Sequence, residues 1–228
     1  MEYKDLGGGS INDSISIYNC DCMDLLRQTP DNYYSLAIVD PPYGNNLRGG
    51  RSSKNGWNNK IDWDKCNNGW NLNIPSPEYF KELQRVSKNQ IIWGGNYFTN
   101  HLPPSECWLV WDKGQRNFSL ADGEMAWTSF DKAMRIKTIH RAVANQESKI
   151  HPTQKPVKLY QWILINNAEE GDKILDTHLG SGSIAIAIDN VNKIEKMNLT
   201  LTACELDTDY FNAAIKRIEQ QTAQQTIF

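Results

Sequence analysis

The tetrapeptide Asp40-Pro41-Pro42-Tyr43 places a carboxylate, a stiff turn and an aromatic ring side by side. Those residue types suit a reaction at an exocyclic amino group. An NH2 conjugated to a heteroaromatic ring is a poor nucleophile, because its lone pair is delocalised into the ring. Hydrogen bonds from that NH2 to a carboxylate and to a backbone carbonyl draw the lone pair out of conjugation. Asp40 supplies the carboxylate and Pro41 the carbonyl, while Pro42 has no N–H to compete and fixes the turn. Tyr43 can stack on a base that has left its duplex. A proline pair that merely ends a strand is the plainer reading of the dipeptide, but the four residues together favour the chemical one.

A second constellation begins at Asp176 and runs through Thr177, His178, Leu179, Gly180, Ser181 and Gly182 to Ser183. It reads as a strand leading through a glycine turn into a helix, where backbone can approach a ligand closely. Alone, such a turn is an ordinary strand-to-helix connection. Glu205, at the end of the next strand, adds an acidic side chain able to accept from both ribose hydroxyls. No Gly-Lys-Ser or Gly-Lys-Thr follows the turn, so the pattern describes a nucleoside site without a triphosphate loop. His178 is a hydrogen-bonding wall of that site, a packed histidine or a sign of weakened affinity.

Both constellations need buried strands beneath them. The run from Ser35 to Val39 is continuously apolar and stops at Asp40-Pro41-Pro42, as a strand buried on both faces does. Further strands are expected at 15–18, 90–93, 108–111, 124–130, 173–176 and 199–204, with the pair at 108–111 and 124–130 suited to antiparallel pairing. Helices are expected after Ser76-Pro77, from Pro156, over 183–189 and over 210–220. Strands alternating with helices predict a mainly parallel sheet covered on both faces. The segment Trp93-Gly94-Gly95-Asn96-Tyr97-Phe98 also closes a strand, so it either lines the pocket beside Asp40 or packs in the core. Gly7-Gly8-Gly9-Ser10 places residues 1–14 outside the fold as a flexible segment, leaving 15–228 as one domain.

The bulk composition, 39% hydrophobic and 22% charged, is that of a folded globular chain. There is no apolar run long enough to span a bilayer and no secretory signal, so a cytoplasmic protein without membrane association is expected. Five scattered cysteines without a Cys-x-x-Cys pair read as reduced thiols, and no metal site is expected. The net charge of −3 carries no global sign of nucleic-acid binding. Locally, residues 113–158 hold nine Lys or Arg against four Asp or Glu, and Arg48, Arg51, Lys54 and Lys60 form a second basic cluster. Arg135, Lys137 and Arg141, with Arg48, Arg51 and Lys54, are candidate DNA phosphate contacts; a solvated basic face is the alternative. Regions 44–76 and 113–150 are the candidate DNA-facing loops.

From Ile15 to Ile218 the chain resembles the beta group of DNA amino-methyltransferases, in which the target-side motif precedes the cofactor motif. The resemblance implies a Rossmann-like class I methyltransferase fold: a circularly reordered, mixed, mostly parallel seven-stranded sheet with helices on both faces. It implies that Asp40, Pro41, Pro42 and Tyr43 hold the target base. For S-adenosylmethionine it implies Asp176, His178, Gly180, Ser181, Gly182 and Ser183 in the cofactor loop, with Glu205 on the ribose. The unaltered segment His151-Pro152-Thr153-Gln154-Lys155-Pro156 matches one that the family places near the methionine end, which adds Thr153, Gln154 and Lys155. Asp21 and Cys22 resemble the element bordering the cofactor adenine. Thr177 and His178 depart from the usual Pro and Phe, and Cys20 from the usual glycine. The activity implied is methyl transfer to N6 of a flipped adenine in DNA, favoured over N4 of cytosine because cytosine enzymes more often carry Ser at position 40. A catalytically silent cofactor- or nucleic-acid-binding subunit is the alternative of another class, and a homodimer is an assembly that the resemblance allows.

Overall fold

The computed structural model describes residues 3–44, 74–117, 121–144, 147, 150–151 and 153–223. Its strands are β1 (Gly7–Asn12), β2 (Ile15–Asn19), β3 (Tyr34–Val39), β4 (Ser87–Trp93), β5 (Trp108–Asp112), β6 (Gly123–Thr128), β7 (Arg135–Thr138), β8 (Lys173–Asp176) and β9 (Thr200–Glu205). The helices are α1 (Cys22–Gln28), α2 (Pro77–Val86), α3 (Arg141–Ala144), α4 (Val157–Asn167), α5 (Ser183–Glu195) and α6 (Thr208–Thr222), with a 3-10 turn at Gly95–Tyr97. The strands form one nine-stranded sheet in the order β1-β2-β9-β8-β3-β4-β6-β5-β7. The block β2-β9-β8-β3-β4 is parallel throughout, β6 runs against β4 and β5, and β7 is parallel to β5.

The apolar run of β3 explains why helices cover both faces. Leu36 and Ile38 face a core shared with α4, α5 and α6, whereas Ala37 and Val39 face a core shared with α1 and α2. Alternation along a strand sends neighbouring side chains to opposite faces, so a strand apolar at every position must be covered twice. Local signals set the helix starts. Ser76 accepts from the Tyr79 backbone N–H at 3.3 Å ahead of Pro77, and Asp207 caps α6 by accepting from Asp209 and Tyr210.

Two expectations are corrected. Among the described residues the sheet has nine strands, not seven, because residues 7–12 are not a flexible tail and Arg135–Thr138, within the expected DNA-facing loop region 113–150, pairs as a strand. At Gly8 a Cβ would lie 2.4 Å from the Ile17 carbonyl oxygen, and φ is +106°. Glycine there permits close pairing of β1 with β2 instead of marking a linker. Arg135–Thr138 adds a parallel edge strand to β5, with Arg135, Ile136 and Thr138 exposed. Among the described residues no helix is long and apolar enough to cross a membrane.

Candidate active site

Parallel strands bring their carboxyl ends to one edge of the sheet, and that edge collects the candidate residues. Asp21 follows β2, Asp40 follows β3, Gly94 follows β4, Asp176 ends β8 and Glu205 ends β9. Antiparallel β6 starts at the edge where β4 and β5 finish, so Glu124, opposite Trp111, arrives there as well.

Around Asp40 the side chains form a closed set of hydrogen bonds. The Tyr43 hydroxyl donates to Asp40 Oδ1 at 2.5 Å, and the Lys155 ammonium is ion-paired with Asp40 Oδ2. Lys155 Nζ also lies 3.2 Å from the Tyr43 hydroxyl oxygen and 3.3 Å from Glu124 Oε2. The other oxygen of Glu124 takes Lys113 at 2.7 Å. Lys155 is 3% exposed, and its ammonium sits 5.0 Å from the centre of the Trp93 ring. Burial alone would push this lysine down, but the carboxylates of Asp40 and Glu124 outweigh it and hold the ammonium above the ordinary lysine value. Burial would push Glu124 up, and Lys155 with Lys113 reverses that, keeping it below the usual glutamate range. Burial and the adjacent Asp40 charge push the Tyr43 phenol well above its ordinary value, so it remains a donor.

Gly94 fixes the Tyr43 ring. Its φ is +70°, and a Cβ there would fall 2.2 Å from the ring. Tyr97, 46% exposed, stacks on Tyr43 with centroids 5.1 Å apart and planes 17° apart. Gly94→Ala is therefore expected to displace the ring that bonds Asp40, because a tyrosine held by a stack and a hydrogen bond cannot move freely. Methyl-transfer activity should fall about tenfold or more, with about 1–2 kcal/mol lost in denaturant unfolding, the cost of a left-handed non-glycine residue plus the clash. An unchanged rate would mean that the ring position is irrelevant.

The second cluster lies where β8 and β9 end. Gly180 N–H donates to Glu205 Oε2 at 2.8 Å, while Glu205 Oε1 accepts from Asp207 N–H at 3.0 Å. Burial pushes the Glu205 carboxyl above its usual range and Asp176 up to about 8; the His178 backbone N–H donates to Asp176 at 3.0 Å. His178 packs edge-on to Tyr79, its Nδ1 is 2.9 Å from the Thr177 hydroxyl, and burial lowers it to about 4. It is therefore a neutral, packed imidazole near pH 7. His151 lies beside Gly180 and against Tyr210, lowered to about 4 by burial and by the Lys155 cation.

Not every candidate faces outward. Ser181 and Ser183 are buried, and Arg217 donates to the Ser181 carbonyl at 2.8 Å and the Ser183 hydroxyl at 3.0 Å. They hold the turn to α6. Asp21 caps α1 through Met23 N–H, and burial raises the Cys22 thiol to about 12. Thr153 is exposed and bonds the His151 ring at 3.1 Å, whereas Gln154 accepts from Ile150 N–H at 3.2 Å. Lys155, expected by resemblance against the cofactor, makes its contacts with Asp40, Tyr43 and Glu124. Arg135 is exposed, and Lys137 lines an open groove of about 530 Å³ with His140, Lys158 and Trp162. Arg141 begins α3. Arg48, Arg51 and Lys54 lie outside the described residues, as does most of 44–76. Sequence reasoning missed Glu124 and Lys113; an acid preceding the alternating Met125-Ala126-Trp127 gives no local sign of its lysine partners.

Comparisons with known proteins bear on this arrangement. A family profile described as DNA methylase, of the N6/N4 type, matches residues 76–216. The chain is 26% identical over 214 residues to the Type II methyltransferase M2.MboI of Moraxella bovis, covering 76% of this chain and 78% of the relative. It is 23% identical over 258 residues to the Type II methyltransferase M.HinfI of Haemophilus influenzae, covering 92% and 70%. The solved structure of an M1.HpyAVI–SAM complex is similar with a TM-score of 0.55 at 18% identity, over 89% of this chain and 99% of that one. The cytosine-N4-specific PvuII DNA methyltransferase is similar with a TM-score of 0.57 at 14% identity, over 95% and 89%.

Proposed function

The chain belongs to the N6/N4 DNA methylase family, and from that premise we propose that it transfers a methyl group from S-adenosylmethionine to N6 of an adenine flipped out of DNA. The observation that carries this reading is the Asp40 carboxylate, held by Tyr43 and Lys155 at a strand end on the edge that also holds Glu205 and the glycine turn. An amino group inside a duplex is buried in the stack, so a base that reaches Asp40 must first leave it. Aspartate at position 40 supports adenine over cytosine, in line with the family tendency.

The residues at the ends of β8 and β9 suit the cofactor. The Glu205 carboxylate, fixed by two backbone N–H groups, is placed to accept from ribose hydroxyls. A Cβ at Gly180 would meet nothing nearer than 3.9 Å, the room that close approach of a ligand needs. When bound, the cofactor would supply an electrophilic sulfonium methyl; as the amino nitrogen takes it in line, sulfur keeps the bond pair and leaves as a thioether, and the methylated amine gives up one proton to Asp40 or to solvent. Asp40 and the Pro41 carbonyl accept from the amino group and free its lone pair. Tyr43 and Tyr97 offer a stacking surface, and the charged set behind Asp40 holds its plane. Positioning provides most of the acceleration, since the chain forms no covalent bond to the base. Arg135, Lys137 and Arg141, with Arg48, Arg51 and Lys54, would contact phosphates.

Glu205→Ala is expected to weaken cofactor binding about tenfold or more in calorimetry, the cost of losing hydrogen bonds to a charged acceptor. Unchanged affinity would remove Glu205 from the ribose. The function itself is tested by supplying the purified chain with methyl-labelled S-adenosylmethionine and unmethylated DNA, RNA or protein. Label in DNA is expected. Label confined to RNA or protein, or cofactor binding without transfer to any acceptor, would defeat the proposal.

A further inference from the structure

Four charged side chains from four parts of the chain alternate in sign outward from Asp40: Asp40, Lys155, Glu124 and Lys113. Their side-chain exposures are 18%, 2%, 27% and 15%, so the one nearly dry member is Lys155. An ammonium has three donors. Here they point to three acceptors, Asp40 Oδ2, the Tyr43 hydroxyl at 3.2 Å and Glu124 Oε2 at 3.3 Å. The Tyr43 hydroxyl spends its own proton on Asp40 Oδ1. Each Asp40 oxygen therefore accepts one bond from within the protein and keeps lone-pair capacity for an incoming amino group.

Resting on the proposed methyl transfer at Asp40, we propose that Glu124 is a positioning residue for that reaction, acting through Lys155. Glu124 takes the third donor of the ammonium and fixes how far Lys155 reaches toward Asp40. With the Glu124 carboxylate gone, that donor lacks its charged acceptor in a nearly dry site and turns to Asp40, where it competes with the target amino group. Lys113 fixes the other oxygen of Glu124 in the same way, at 2.7 Å. A purely structural ion pair would contribute to stability without biasing the acceptor capacity of Asp40.

Glu124→Gln keeps the shape, removes the charge and leaves one acceptor oxygen between two ammonium groups, so Lys155 either faces the amide NH2 or takes the oxygen from Lys113. The expected result is a single-turnover methylation rate at least tenfold below wild type, with cofactor and DNA affinities within twofold. Nζ resonances of 15N-lysine provide a readout that needs no turnover: the Lys155 titration should lie above that of free lysine in wild type and fall by about one pH unit or more in the variant. Asp40, Tyr43, Glu124, Lys113, Tyr160, Asp176 and His151 are the titratable groups around this ammonium or its partners. If the variant does not fold, Glu124→Asp keeps the charge but shortens the reach, and should lower the rate while leaving the Lys155 titration high. A rate within twofold of wild type, or a wild-type Lys155 that titrates below free lysine, overturns the proposal. A wild type that binds cofactor and transfers no methyl, with Lys155 titrating high, counts against the proposed function and leaves the Lys155–Glu124 link standing.

Discussion

Asp40→Asn is expected to lower methyl transfer to DNA by about 100-fold or more while cofactor affinity stays within about twofold. Asparagine keeps one acceptor oxygen for Tyr43 or Lys155, but its amide NH2 presents donors to an amino group that itself donates. Loss of a single preorganised group of this kind costs about 100- to 1,000-fold elsewhere in catalysis. Single-turnover kinetics together with calorimetry of cofactor binding separates the two effects. A parallel fall in both would mean that Asp40 serves the cofactor, and an unaltered rate would mean that the carboxylate is not the acceptor. Asp40→Ala adds a stability loss, because Lys155 and Tyr43 then lose a partner in a poorly solvated place.

Lys155→Met should destabilise the fold by about 3 kcal/mol. Removing the cation from a buried set costs about 3–5 kcal/mol because the remaining charges lose their partner; Asp40 and Glu124 keep some solvent contact, which favours the lower end. For a domain of this size the melting temperature should drop by roughly 6–12 °C. The pH dependence has a definite sign. In wild type Lys155 is raised, so its contribution persists at low and neutral pH and is lost only as pH rises through its folded value. In the variant the cation between Asp40 and Glu124 is gone and Glu124 keeps only Lys113, so the folded state holds two negative charges with less compensation than in wild type. The deficit should then shrink as pH falls toward 5 and widen above it. Thermal melts of both proteins between pH 5 and 9 provide the check, and a deficit independent of pH would contradict the electrostatic origin.

Some of this was legible in the sequence because it is local. The apolar run of β3 and the proline pair after it specify a buried strand that stops at a defined place, and Ser76-Pro77 specifies a helix start. The glycine turn between β8 and α5 is read from a few consecutive residues, and its acidic partner lies one strand further on. Residue types and order carried an amino-group site and a nucleoside site; S-adenosylmethionine as the cofactor and adenine as the target came from resemblance to a family.

What was not legible depends on partners distant in sequence. Lys155 meets Asp40 only because α4 starts beside the end of β3, and no local pattern carries that contact. Glu124 resembles any solvent-facing acid at the start of a strand until antiparallel pairing with β4 and β5 brings it to the functional edge. Gly7–Asn12 has the composition of a linker, and pairing with β2 makes it a strand. Arg-Ile-Lys-Thr at 135–138 is too short and too basic for its alternation to stand out, and β5 alone recruits it. Tertiary context overrides weak strand propensity in both edge strands.

The most direct test is the chemical identity of the product. DNA methylated by the purified chain with labelled S-adenosylmethionine is digested to nucleosides, and the label is resolved by chromatography. The Asp40 site predicts label in N6-methyladenine. Label in N4-methylcytosine alone would contradict the adenine assignment, and label in a carbon-methylated base would contradict amino-group transfer at Asp40 altogether.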